Sequence, residues 1–199
     1  AACLAEDIKG LNVADEKLGE EILRGLVDLE LSESNKIGNK VSSQIFPIIS
    51  RFYETAYEKR ALELLKAEAE KIDKVRLQRY RKELGEKKEA IAVLINLLTD
   101  KDSDTRSSAA ITFTDLNKNS DKVVNAFIKL LTDEDSKVRY IAAFALKDLD
   151  KNSDEVVNAF IKLLSDKESE LRRIAADALM KWVKYSDEVV NAFIQLLID

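Results

Sequence analysis

Three acid–base pairs recur in this chain at one fixed spacing. Asp102 is followed four residues later by Arg106, Asp135 by Arg139, and Glu168 by Arg172. The fullest form is Asp135-Ser136-Lys137-Val138-Arg139; it varies to Asp102-Ser103-Asp104-Thr105-Arg106 and Glu168-Ser169-Glu170-Leu171-Arg172. A carboxylate and a guanidinium can grip one another through charge-assisted hydrogen bonds. A carboxylate can also move protons, but that work needs a pair set apart from the rest. No pair is set apart here. Most acids fall at turns and helix starts, where capping accounts for them. The chain has no histidine and one cysteine, Cys3. That removes Ser-His-Asp and Cys-His nucleophiles, His-ligated zinc, intrachain disulfides and multi-cysteine metal sites. The expectation is a non-enzyme with no catalytic residue, no metal and no cofactor.

A second constellation is basic. Lys71 to Lys88 holds eight basic residues against three acidic ones, with Tyr80 among them. Arg79, Arg81 and Lys82 are its candidates for phosphate contact. The whole chain carries a formal charge of −5, so a solvated helix face is the preferred reading and nucleic acid is disfavoured as a partner.

The elements that carry these residues repeat. Leu64-Leu65, Leu97-Leu98, Leu130-Leu131, Leu163-Leu164 and Leu196-Leu197 stand 33 residues apart, and Asn125-Ala126-Phe127-Ile128 returns at 158 and 191. A fixed period of this size marks a stacked array. Each unit reads as two amphipathic helices, A and B. In the B helix Val138, Ile141, Ala142, Ala145, Leu146 and Leu149 form one stripe at helical spacing. From residue 89 the pattern predicts A helices near 89–99, 121–132, 154–165 and 187–198, and B helices near 103–116, 136–149 and 169–182. Ser120, Ser153 and Ser186 are expected N-caps. Trp182 is expected to pack in the core.

Residues 1–88 repeat only in outline. A B-type helix is expected over 32–50, kinked or broken near Phe46 by Pro47. An A helix is expected over 53–66 and a B helix over 72–84, with Gly85 at the C′ position. Cys3 to Ile8 reads as the tail of a further B helix. Neither end has the polar cap of a finished solenoid. A fragment of a longer array is expected, with self-association through the uncapped ends as a second use of them. No run of about 18 apolar residues exists, so no membrane span is expected. The single cysteine fits a reducing compartment, so the chain is expected in the cytoplasm.

The stretch from about Glu89 to Asp199 resembles the HEAT repeats, in the short form of phycobilin lyase subunits. The Asp-x-x-Val-Arg turn, the alanine-rich B helix and the double leucine carry the resemblance. It implies an all-α, right-handed superhelix of about six hairpins, degenerate over 1–88 and regular over 89–199. It also implies a ladder knitting successive repeats, with Asp102, Arg106, Asp135, Arg139 and Arg172 in that role. The concave face would be lined by B helices. There the columns that differ between repeats are Ser107, Tyr140 and Arg173, then Ile111, Phe144 and Asp177, then Thr114, Lys147 and Met180. Ser107, Ile111, Tyr140, Phe144, Lys147, Arg173 and Asp177 are the candidate partner-binding residues. The expected function is a protein-binding scaffold or sensor domain, as in arrays attached to signalling ATPases. The alternatives are a phycobilin-lyase-like chromophore-handling subunit and binding to a nucleic-acid backbone.

Overall fold

Five glycines and one proline in the whole chain leave little to break helices, and helices are what form. The computed structural model describes residues 16–33, 40–116, 121–149 and 153–182, together with 187, 190, 191, 193 and 194. Among these residues there are ten α-helices and no strand. They are α1 (Glu16–Glu33), α2 (Lys40–Ser50), α3 (Glu58–Ala67), α4 (Lys74–Glu83), α5 (Lys87–Leu97), α6 (Ser103–Leu116), α7 (Asp121–Leu130), α8 (Ser136–Asp148), α9 (Asp154–Leu163) and α10 (Ser169–Trp182). The fold is an all-α solenoid of helical hairpins. It divides into two compact units, residues 1–94 and 95–199, and the border falls inside α5.

In the first unit α1 packs on α2 and α3, and α4 packs on α2 and α3. The shared core is Leu23 and Val27 of α1, Ile45 and Ile49 of α2, Leu62 and Leu65 of α3, and Leu77, Tyr80 and Leu84 around α4. Here the sequence reading needs two corrections. Helix α2 does not break near Phe46: it runs through Pro47 to Ser50. Pro47 is exposed, so the backbone bond it removes is lost on the wet side of the helix. The helix expected from Tyr53 starts at Glu58 instead. Residues 51–57 form turns, and Glu54 holds a left-handed φ of 59° that no helix accepts. The helix expected over 72–84 forms within two residues of those bounds, starting at Lys74 after the Asp73 carboxylate accepts the Arg76 N–H at 2.8 Å. Gly85 does take the left-handed conformation, φ 90°, after α4.

In the second unit α7 pairs with α8 and α9 with α10. The B helices α6, α8 and α10 lie side by side, and α7 contacts α9. The period-33 pattern located these helices to within about two residues. Val123, Val124, Phe127 and Leu130 of α7 are buried, as are Val156, Val157, Phe160 and Leu163 of α9. Ala142, Ala143 and Ala145 of α8 are buried too, and such small residues let neighbouring helices approach closely. Trp182 is half-buried, edge-on to Phe160 at 5.2 Å. Ser153 occupies the N-cap position, but its hydroxyl makes no capping bond. It hydrogen-bonds the Glu155 carboxylate instead. Ser120, Ser186, the Cys3–Ile8 segment and most of the helix expected over 187–198 lie outside the described residues.

Candidate functional site

The arginine at the fifth position of each turn has one geometry. Helix α6 starts where Asp102 accepts from the N–H and the hydroxyl of Thr105, at 2.9 and 2.7 Å. That cap aims Arg106 back over the turn, where its Nη1 donates to the carbonyls of Asp100 and Lys101 at 2.9 and 3.2 Å. Its Nε and Nη2 grip both oxygens of Asp133 at 2.8 Å each. Arg139 repeats this on the carbonyls of Asp133 and Glu134 and on the carboxylate of Asp166, at 2.8 and 3.0 Å. Both guanidiniums are buried, at 8% and 6% side-chain exposure. Burial is the largest single influence on the Asp166 carboxyl and tends to raise it, but the Arg139 hydrogen bonds, the Glu168 N–H and the Arg139 and Lys167 charges together hold the group below its usual range.

Arg106 and Arg139 thus each reach an aspartate of the next turn, while two of the five residues expected in the ladder, Asp102 and Asp135, do other work. The acids gripped by Arg106 and Arg139 are Asp133 and Asp166, not Asp102 and Asp135. Asp102 and Asp135 cap the N-termini of α6 and α8, where Asp102 accepts from the Thr105 hydroxyl and N–H and Asp135 from backbone N–H groups. Asp135 accepts from Lys137 at 2.8 Å and also takes the Ser103 hydroxyl of the preceding hairpin. Arg172 bonds the carbonyls of Asp166 and Lys167, and the residue one period beyond Asp166, Asp199, lies outside the described residues. The signal for the true acids was present in the sequence. Asp100, Asp133, Asp166 and Asp199 follow the paired leucines at the same period of 33.

On the B helices, α6, α8 and α10 present Ile111, Tyr140, Phe144 and Met180 at 51%, 40%, 57% and 59% exposure. The Tyr140 and Phe144 rings lie nearly parallel, 6.4 Å apart. Beside them runs a chain of charges. Glu170 is bound by Arg173, Arg173 reaches Asp177 at 3.4 Å, and Lys147 of α8 reaches the same Asp177 oxygen at 3.3 Å. Met180 stands one period after Lys147 on α10 and is among the most exposed apolar side chains of these helices, so exposure adds it to the residues the sequence singles out.

Ser107 is a correction. It occupies the Tyr140 position one repeat earlier, yet it is 2% exposed and its hydroxyl has no hydrogen-bond partner. A serine side chain is too short to rise past its packed neighbours, so it offers nothing to a partner. The basic candidates are a second correction. Arg81 is bound to Glu86 at 2.8 Å and to Gln78 at 3.0 Å, and Lys82 pairs with Glu83 at 3.1 Å. Arg79 lies over the Phe46 ring, 4.6 Å from its centre. Three cations held this way do not make a phosphate cradle.

A stacked array of amphipathic hairpins locked by buried Arg–Asp forks is the geometry against which known proteins can be compared. The HEAT repeats family model matches residues 124–199. That segment is similar to HEAT repeats. No curated protein matches the sequence. Solved structures resemble the chain at low identity. One is an engineered protein of the Northeast Structural Genomics Consortium, with TM-score 0.46, 19% identity and 94% of this chain covered. This chain spans 60% of that protein's length. Another is a designed armadillo repeat protein in complex with the peptide (KR)4, with TM-score 0.47, 17% identity, and 90% and 99% of the two chains covered.

Proposed function

We propose that this chain is a non-catalytic protein-interaction scaffold, a recognition or sensor domain working through the B-helix face of α6, α8 and α10. The observation that carries the reading is the row Ile111, Tyr140, Phe144 and Met180, four large apolar side chains exposed on three adjacent helices. Exposed apolar residues are ordinary singly; four on three adjacent helices, two of them an aromatic pair in contact, are what interfaces use. The charges beside it are paired with one another, so they shape a rim rather than attract one sign of partner. Repeat folds of this kind are typical of non-enzymatic scaffolds. We further read the repeats as the short phycobilin-lyase type, and the chain as cytoplasmic.

The test is photo-crosslinking in the native host, with a benzophenone amino acid at position 144 and, as control, at exposed Lys129 on α7. A discrete adduct at 144, absent at 129 and lost in Tyr140→Ala with Met180→Ala, supports the reading. Equal labelling at both positions removes it.

A further inference from the structure

We propose a second site on the opposite type of helix: the groove between the A helices α7 and α9 binds a small anionic amphiphile. This inference does not rest on the B-helix face. The groove has a volume of about 670 Å3, within the roughly 300–1,000 Å3 of small-molecule sites. Ile128, Leu131 and Leu163 give it an apolar floor, which favours an apolar body that leaves water.

The charges around the groove fall into two sets. Asp133 and Asp166 contribute to its wall, but Arg106 and Arg139 already hold both oxygens of each. Lys162 and Lys167 also line it, are exposed, and form no ion pair among the described residues. Against these two ammonium groups stands one carboxylate, Glu155, in the first turn of α9. The amide of Asn158 adds a neutral donor and acceptor. Lys167 also acts at longer range on the Asp166 carboxylate, but neither ammonium group is held in an ion pair, and an apolar trough with two such cations matches a ligand with an aliphatic or aromatic body and one carboxylate or sulfonate head. The position is specific to this pair of helices: Lys167 is replaced by Glu134 one repeat earlier.

The experiment is a fluorescence titration with 1-anilinonaphthalene-8-sulfonate, which joins an apolar body to an anionic head. The full chain is compared with Lys162→Glu/Lys167→Glu, Lys162→Gln/Lys167→Gln and Tyr140→Ala/Phe144→Ala. The expected result is one saturable site, weakened roughly tenfold or more by charge reversal and less by neutralisation. The aromatic double variant should leave it unchanged. Decanoate should displace the dye, whereas decyltrimethylammonium should not. Affinity indifferent to both lysine pairs, loss of binding in the aromatic variant, or equal displacement by the cation would each overturn the proposal. Both lysines are exposed, so circular dichroism should show the lysine variants folded.

Discussion

Ser107 and Tyr140 hold one repeat position in opposite surroundings, and the difference can be measured. The Ser107 hydroxyl is buried and unbonded. An unsatisfied buried polar group costs about 1–3 kcal/mol. Ser107→Ala should therefore raise the free energy of unfolding by about 1 kcal/mol, seen as a higher urea midpoint with an unchanged slope. A lower midpoint would mean that the hydroxyl has a partner after all. Gly19 shows the reverse sensitivity. A Cβ built there would lie 2.0 Å from the Tyr57 hydroxyl oxygen and 2.4 Å from the ring carbon bearing it. Gly19→Ala normally favours a helix, but here the overlap should win and cost about 1–3 kcal/mol. Thermal unfolding would decide the sign. Neither effect was legible in the sequence. The period told which positions correspond, but how far each side chain reaches past its neighbours depends on packing across tens of residues.

At the scale of the element, the Arg106 and Arg139 forks tie one hairpin's turn to the next. Each arginine closes its own turn through two carbonyls and reaches the next turn's aspartate, so one side chain fixes two loops. Both ions are nearly dry, and removing one partner of such a pair strands the other. Arg139→Ala should cost about 3–5 kcal/mol in urea unfolding. The double change Arg139→Met/Asp166→Leu should cost clearly less, because no charge is left buried. It should not be neutral, since the Asp133 and Glu134 carbonyls lose their donor. Exposed Lys137–Asp104, which spans 33 residues where the forks span 27, should contribute less than about 1 kcal/mol. The sequence showed that an acid and an arginine recur, and it located the helices of the second unit. It misassigned the acid because capping and ion pairing both draw aspartates to a helix start. Chain spacing does not separate the two uses. Only the side-chain geometry does.

At the scale of the molecule, the two units differ in legibility for a physical reason. The second repeats its own text, so each copy corroborates the next. The first has Pro47 inside a helix and left-handed Glu54 before another, and its buried ion pair, Arg76 with Glu30, joins residues 46 apart, a separation no period announces. The units share one dependence on pH. Glu86 in the first is bound by Lys66 and Arg81, and Asp166 in the second by Arg139. Burial works to raise both carboxyls, but the paired cations outweigh it, so each folded-state pKa lies below its ordinary value. A depressed carboxyl stabilises the fold above its unfolded pKa, about 4, and that stabilisation is lost as pH falls through the folded value. Stability should therefore be flat from pH 7 to about 5 and fall steeply below about 4. Trp182, the one tryptophan of the chain, packs on Phe160 in the second unit, so its fluorescence reports that unit while circular dichroism reports both. Asp166→Asn should lower stability at pH 7 and flatten the acid dependence read by tryptophan. Glu86→Gln should leave the tryptophan-detected slope as it was. If Asp166→Asn leaves that slope unchanged, the Arg139 fork is not what acid breaks in the second unit.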